Sequence, residues 1–194
     1  MKNLFKATVV AFLASAMISC GGADKANFVG NWTPDLGSVD IHISEAIPSE
    51  LQENMDLDKI KSEMKKNQSM ADKVNMEFKE DGTFTVGPEG DTKDFKWDVD
   101  GDNLVISGQI PEEADGDMGG KDFSFAFEIV ESSADEFTLK LTGASIMEQA
   151  KAQFKDQVDE AMGEAGPMLG MLDLDKILGE SWASLKFKKK AVEA

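Results

Sequence analysis

Residues 74–86, Val-Asn-Met-Glu-Phe-Lys-Glu-Asp-Gly-Thr-Phe-Thr-Val, decide the fold class of this chain. Apolar and polar residues alternate from Val74 to Phe78, which is the period of a strand with one buried face. Asp81-Gly82 is a strong hairpin signal, and the alternation resumes from Thr83 to Val86 on the same face. The stretch therefore predicts a β-hairpin with one apolar side.

The same alternation recurs on both sides of this hairpin. It is found at residues 39–43, 95–99, 104–106, 123–129, 137–141 and 185–187. Turns separate the segments at short, regular intervals, as in a barrel or a sandwich. We predict a mainly β fold, an antiparallel barrel of about eight strands.

Two helical insertions interrupt the strands, near residues 47–73 and 145–180. Leu57, Ile60 and Met64 follow helical spacing in the first insertion, and Met147 to Ala161 does so in the second. Both insertions are rich in methionine, a flexible residue that is common on surfaces accepting varied apolar partners. The helices either form a lid over the barrel mouth or only pack onto the barrel.

One short motif occurs in both insertions, at residues 55–60 and again at residues 172–177. Each copy places two aspartates at the start of a helical segment, where carboxylates are favourable. The preference for aspartate at helix starts explains the repeated motif, and a duplicated lid element is the alternative.

Cys20 ends a segment with the layout of a secretory signal peptide. Lys2 and Lys6 precede an apolar stretch that is too short to span a bilayer with ease. The ending Met17 to Gly22 resembles the lipobox of bacterial lipoproteins, a family in which this cysteine is acylated after cleavage. We expect a signal peptide at 1–19, a lipidated tether at 20–26 and a barrel domain at 27–194.

Composition limits the partners of the chain. Removing residues 1–19 takes away two lysines and no acidic residue, so the formal charge falls from −17 to −19. Such a chain is repelled by nucleic acids and by anionic lipid surfaces. Membrane attachment is therefore expected through the lipid on Cys20, with no nucleic-acid partner.

The residues for most catalytic and metal-binding constellations are lacking. The chain has no arginine, one histidine (His42) and one cysteine (Cys20). A calcium loop beginning at Asp98 fails, since Asn103 stands where an EF-hand needs glycine. We expect no enzyme activity, no metal and no cofactor.

Three motifs together resemble a known family. Gly30-Asn31-Trp32 matches the Gly-x-Trp of the lipocalin superfamily, and residues 76–84 and Phe95-Lys96-Trp97 look like later strands of lipocalin-like lipoproteins from Gram-negative envelopes. The resemblance implies a lipocalin-like barrel in which Trp32 packs across the closed end. It also implies outer-membrane retention, because Gly21 follows the cysteine where an inner-membrane signal usually has aspartate.

The chain also departs from true lipocalins. It lacks their Thr-Asp-Tyr motif, since it has no tyrosine, and their last-strand arginine, which covers the tryptophan. Lys186 or Lys188 is expected to take the place of that arginine, without its planar fork.

Two function classes remain open. In the first, the barrel binds a lipid or another small apolar ligand, with five candidate contacts: Trp97, Phe125, Phe127, Met168 and Met171. In the second, bulky rings fill the barrel, and the chain is a non-enzymatic structural or protein-interaction lipoprotein. An eight-stranded barrel permits either outcome.

Overall fold

The chain forms a closed barrel of eight antiparallel strands in a computed structural model, which describes residues 23–52, 55–88, 90–110, 120–164 and 172–190. Each strand pairs with its neighbours in the sequence, and β1 pairs with β8 to close the sheet. The strands are β1 Gly30–His42, β2 Val74–Phe78, β3 Thr83–Pro88, β4 Lys93–Asp100, β5 Asn103–Gln109, β6 Asp122–Ser132, β7 Glu136–Thr142 and β8 Trp182–Lys189. The predicted fold class, a lipocalin-like barrel with helices, is confirmed.

The up-and-down topology gives the barrel two different ends. The short turns β2–β3, β4–β5 and β6–β7 lie at one end, which we call the closed end. The connections β1–β2 and β7–β8, which carry the helices, lie at the other, which we call the open end. Thus β1 runs from the closed end at Gly30 to the open end at His42.

The β2–β3 turn shows why the hairpin signal is reliable. The backbone at Gly82 has a φ of 85°, in the left-handed region that favours glycine. The Asp81 carboxylate accepts a hydrogen bond of 2.9 Å from the Thr83 amide, and this bond fixes the turn. Asp-Gly therefore supplies both the conformation and the hydrogen bond.

Aromatic rings fill the closed end. A 3-10 helix, Lys25–Asn27, covers this end and delivers Phe28 into the core, where Phe28 and Trp32 have no exposed surface. The Trp32 indole N–H donates to the Phe28 carbonyl at 2.6 Å, and the Trp32 ring packs 4.6 Å from that of Phe137. The buried core of the barrel is Phe28, Trp32, Phe78, Phe84, Trp97, Leu104, Phe137, Leu139 and Phe187. Burying one such side chain stabilises a fold by about 1.5–3 kcal/mol.

The Gly-x-Trp motif is explained by a lysine on the last strand. Lys189 places its ammonium 5.5 Å from the centre of the Trp32 ring, within the range of a cation–π contact. A Cβ on Gly30, where φ is 131°, would lie 2.8 Å from the Lys189 side chain. The backbone thus favours glycine here, and a side chain at this position would also displace the flexible end of Lys189.

The prediction that Lys186 or Lys188 covers Trp32 was wrong. Lys186 instead forms ion pairs with Glu131 and Glu136, and Lys188 pairs with Asp35 at 2.7 Å. Side chains alternate along a strand, so Lys186 and Lys188 lie on the outer face while Phe187 and Lys189 point inward.

The described residues form five α-helices in the region of the two predicted insertions. They are α1 Ser49–Gln52, α2 Leu57–Lys66, α3 Gln68–Ala71, α4 Gly143–Glu164 and α5 Leu174–Glu180. The repeated motif caps two of them: Asp56 accepts from the Lys59 amide at 2.8 Å, and Asp173 accepts from the Lys176 amide at 3.1 Å. Shared capping chemistry accounts for the repeated motif.

Candidate functional site

A cavity of about 240 Å³ lies in the open half of the barrel. Its walls are almost entirely apolar, and three neighbouring strands and one helix provide most of them. The described residues that line it are Val39, Ile41, Met64, Phe127, Leu139, Lys140, Leu141, Ala183, Ser184, Leu185 and Phe187. An apolar space of this kind, partly open to solvent, gains free energy when an apolar group displaces water from it.

Strand alternation places most of the lining. Leu139 and Leu141 share the inward face of β7, and Ala183 and Leu185 share that of β8, with which β7 pairs directly. Leu139 is 8% exposed, whereas Ala183, nearer the open end, is exposed. The exposure of the cavity wall therefore increases along these strands from the core toward the open end.

A bulge in β1 brings Val39 and Ile41 into the wall. The pairing of β1 with β8 shifts between Asp35 and Asp40. The Asp35 carboxylate accepts from the Gly37 amide at 3.1 Å, and the Ser38 hydroxyl donates to the Asp35 carbonyl at 2.7 Å. These two bonds stabilise the backbone of the bulge.

The helix α2 covers the β1 side of the cavity. Its Met64 reaches the cavity, and one turn earlier Lys61 forms an ion pair of 2.9 Å with Asp40 on β1. The Lys61 hydrogen bond lowers the pKa of the Asp40 carboxyl below its ordinary value. Both partners are substantially exposed, so this ion pair holds the helix only weakly.

A glutamine side chain holds the following helix more firmly. Beyond Trp32 the edge of β1 that faces β2 has no strand residue opposite it, since their pairing ends at Trp32 and Met76. Gln68 of α3 binds this edge: its carbonyl accepts from the Leu36 amide at 2.7 Å, and its NH₂ donates to the Pro34 carbonyl at 3.0 Å. A carboxamide carries the same donor and acceptor as a peptide group, so Gln68 replaces a missing strand residue.

The helix α4 is bound to β6 in the same way, by two glutamines. Gln149 exchanges bonds of 2.6 and 3.1 Å with the backbone of Ala126, and Gln153 exchanges two bonds of 2.6 Å with that of Ser124. Four helical residues rise about 6 Å and two strand residues about 6.6 Å, so the two spacings match. We call these two residues the glutamine ladder.

Hydrogen bonds of Ser44 join the segment that follows β1 to the end of α5 at the rim of the open end. Its hydroxyl donates to a Glu180 carboxylate oxygen at 2.5 Å, and its amide donates to the Ser181 hydroxyl at 3.0 Å. Ser44 is fully buried although it lies at the open end. The segment that follows β1 is therefore joined to the end of α5 at the rim.

The predicted ligand contacts are spread over several places. Phe127 lines the cavity, whereas Trp97 is buried at the closed end, where its ring lies 5.1 Å from that of Phe78. Phe125 lies on the inward face of β6 and contacts Phe123, and it is not among the described residues that line the cavity. Met168, Met171 and Cys20 lie outside the described residues.

Sequence reasoning missed most of the aliphatic lining. Leu139, Leu141 and Leu185 stand at inward positions of strands that were predicted, so alternation alone could have identified them. Of the rings predicted as ligand contacts, Trp97 lies in the filled half of the barrel, whereas Phe127 lines the cavity. Helical spacing identifies Met64 as an apolar position of its helix, but it does not show that this residue reaches the cavity.

Comparison with models of protein families, with curated proteins and with solved structures finds no match to the chain. Within the described ranges, no three acidic, histidine or cysteine side chains are grouped as a metal site would require. Nor do the helices described here include one long and apolar enough to cross a membrane. The candidate site is the apolar cavity, and the geometry described above supports it.

Proposed function

We propose that the chain is a bacterial envelope lipoprotein, anchored through acylated Cys20, whose barrel binds a lipid or another small apolar ligand. The observation that carries the binding function is the apolar cavity of about 240 Å³ in the open half of the barrel. The anchor is supported by the sequence around Cys20 and by its uniqueness, which leaves the thiol without a disulfide partner in the chain.

The volume of the cavity supports a small ligand. Most drug-sized pockets enclose about 300–1,000 Å³, so this cavity suits one alkyl chain better than a ring system. Removing apolar surface from water is worth about 25 cal/mol per Å². A chain seated against Leu139, Leu141 and Met64 would thus gain most of its affinity from the hydrophobic effect.

Native mass spectrometry of residues 21–194, which keep every described helix and strand, tests the binding function. We expect a co-purifying apolar molecule in the unchanged protein and none in Leu141→Trp, which fills the cavity. Val130→Trp is the matched control, because Val130 is 54% exposed on the outer face of β6. An apo mass in all three, with no change in Tm across fatty acids and sterols, would contradict ligand binding.

That negative outcome would favour the alternative, a structural or protein-interaction lipoprotein. The observation behind it is the aromatic core that fills the closed half. Under this alternative the cavity is a packing gap, and Leu141→Trp should raise the Tm by filling it.

The anchor has its own test. In bacterial cells grown with radioactive palmitate, the full chain should be labelled and Cys20→Ser should not. A cleaved chain with a free Cys20 thiol would contradict the anchoring proposal and leave the cavity proposal intact.

A further inference from the structure

We infer that the closed end of the barrel faces the membrane to which the chain is anchored, and that the mouth points away from it into the aqueous compartment. This inference rests on the proposed acylation of Cys20. It adds which surface meets the bilayer and from which side the ligand enters.

The first described residues are fixed firmly on the closed end. Ala23 packs against the aromatic core, and Asp24 caps the 3-10 helix by accepting from the Ala26 amide at 2.9 Å. Lys25 pairs with Asp98 at 2.7 Å and lies over the Trp97 ring. The chain therefore enters the barrel at a defined place.

The tether is too short to let the barrel turn over freely. Ala23 follows Cys20 by three positions, which span at most about 10 Å when fully extended. A lipid-bearing Cys20 sits at the headgroups, so the closed end must lie within about that distance of the bilayer.

The mouth lies much further away. Trp32 pairs with Lys189 and Ile41 pairs with Ala183, six positions away on β8, which at about 3.3 Å per residue and a tilt of about 40° places Ile41 roughly 15 Å further out. The cavity, with Met64 at its edge, opens at this end. Lipids of the anchoring leaflet would thus have no direct path to the cavity.

The functional consequence concerns exchange of the ligand. A barrel oriented in this way receives or delivers its apolar ligand across the water, from a soluble carrier or from a surface opposite its anchor. It does not extract lipid from the bilayer that holds it.

Single introduced cysteines test the orientation, because the acylated Cys20 leaves any new cysteine as the one free thiol of the mature chain. Glu80→Cys and Ala134→Cys lie in exposed turns of the closed end, and Lys66→Cys and Thr92→Cys are exposed at the open end. Each lipidated chain is labelled with a fluorophore. It is then reconstituted into vesicles of phosphatidylethanolamine and phosphatidylglycerol that carry headgroup nitroxides.

We expect the closed-end labels to be quenched several-fold more than the open-end labels. Equal quenching at both ends, or stronger quenching at Lys66→Cys and Thr92→Cys, would overturn the orientation while leaving the anchor in place. The intact mass of each sample reports acylation separately. A chain that carries no lipid would overturn the anchor and this inference together, whereas loss of ligand binding alone would affect neither.

Discussion

The closed and open ends of this barrel are built from different interactions. At the closed end, rings from several strands and from the N-terminal segment pack around Trp32, which also donates a buried hydrogen bond. At the open end, the wall is aliphatic and the covering helices are held by glutamine side chains and exposed ion pairs. We expect the densely packed end to be the more rigid one, and the proposed ligand would enter at the end where polar contacts hold the helices.

The difference shows that one continuous sheet can provide both a filled core and the wall of a cavity. Residues a few positions apart on β7 lie in different surroundings: Phe137 is fully buried among rings, and Leu141 is half-buried at the cavity. We therefore expect side chains of the closed end to contribute more to the free energy of unfolding than those of the open end. The following substitutions probe this contrast.

The largest effect is expected at Trp32. Trp32→Ala removes the centre of the closed-end core and should lower the free energy of unfolding by about 3–5 kcal/mol. Trp182→Ala is the control from the open end, where Trp182 is half-buried and stacks on His42. Chemical denaturation of both variants measures the difference, and equal losses would refute the asymmetry.

A smaller loss is expected from Gly30→Ala. The new Cβ meets the Lys189 side chain, and alanine is strained at a φ of 131°, which costs about 1–3 kcal/mol. Combining it with Lys189→Ala removes the contact and keeps the strain, so this pair separates the two causes. If Gly30→Ala leaves the denaturation midpoint unchanged, the explanation of Gly-x-Trp is wrong.

Removing part of the glutamine ladder should lower the free energy of unfolding less than the substitutions above. It should mainly increase local opening of the strand β6 to which the ladder binds. Gln153→Leu removes two bonds to Ser124, each worth about 1 kcal/mol net. Hydrogen exchange at the Ser124 amide should accelerate, while the amide of Phe28 at the closed end keeps its protection. Glu148→Ala, at an exposed position of the same helix, is the control and should leave both amides unchanged.

The smallest effect is expected from pH. Lys61 lowers the pKa of Asp40, so the ion pair stabilises α2 above the ordinary pKa of the carboxyl and is lost as the pH falls through its lowered value. The protection of the α2 amides relative to their intrinsic exchange rate at each pH should therefore fall in acid. In Asp40→Asn this protection should be low at all pH values, and a pH response that survives this change would rule out Asp40 as its origin.

The sequence predicted the barrel well because each strand signal is local. Alternation from Val74 to Val86 and the Asp81-Gly82 turn depend on near neighbours, and the register follows from them. The cavity was harder to predict, since its wall joins β1, β7 and β8 with α2. The bulge that turns Val39 inward and the choice of Lys189 over Lys186 depend on contacts between distant parts of the chain.

Methyl NMR on the chain labelled at leucine, isoleucine and methionine tests the central claim most directly. Titration with a medium-chain fatty acid should shift the methyl signals of Leu139, Leu141, Leu185 and Met64, which line the cavity. The signals of Leu104, which is fully buried in the core, should stay in place. Shifts at Leu104 with none at the four cavity residues, or no shifts anywhere, would contradict an open half built to hold an apolar ligand.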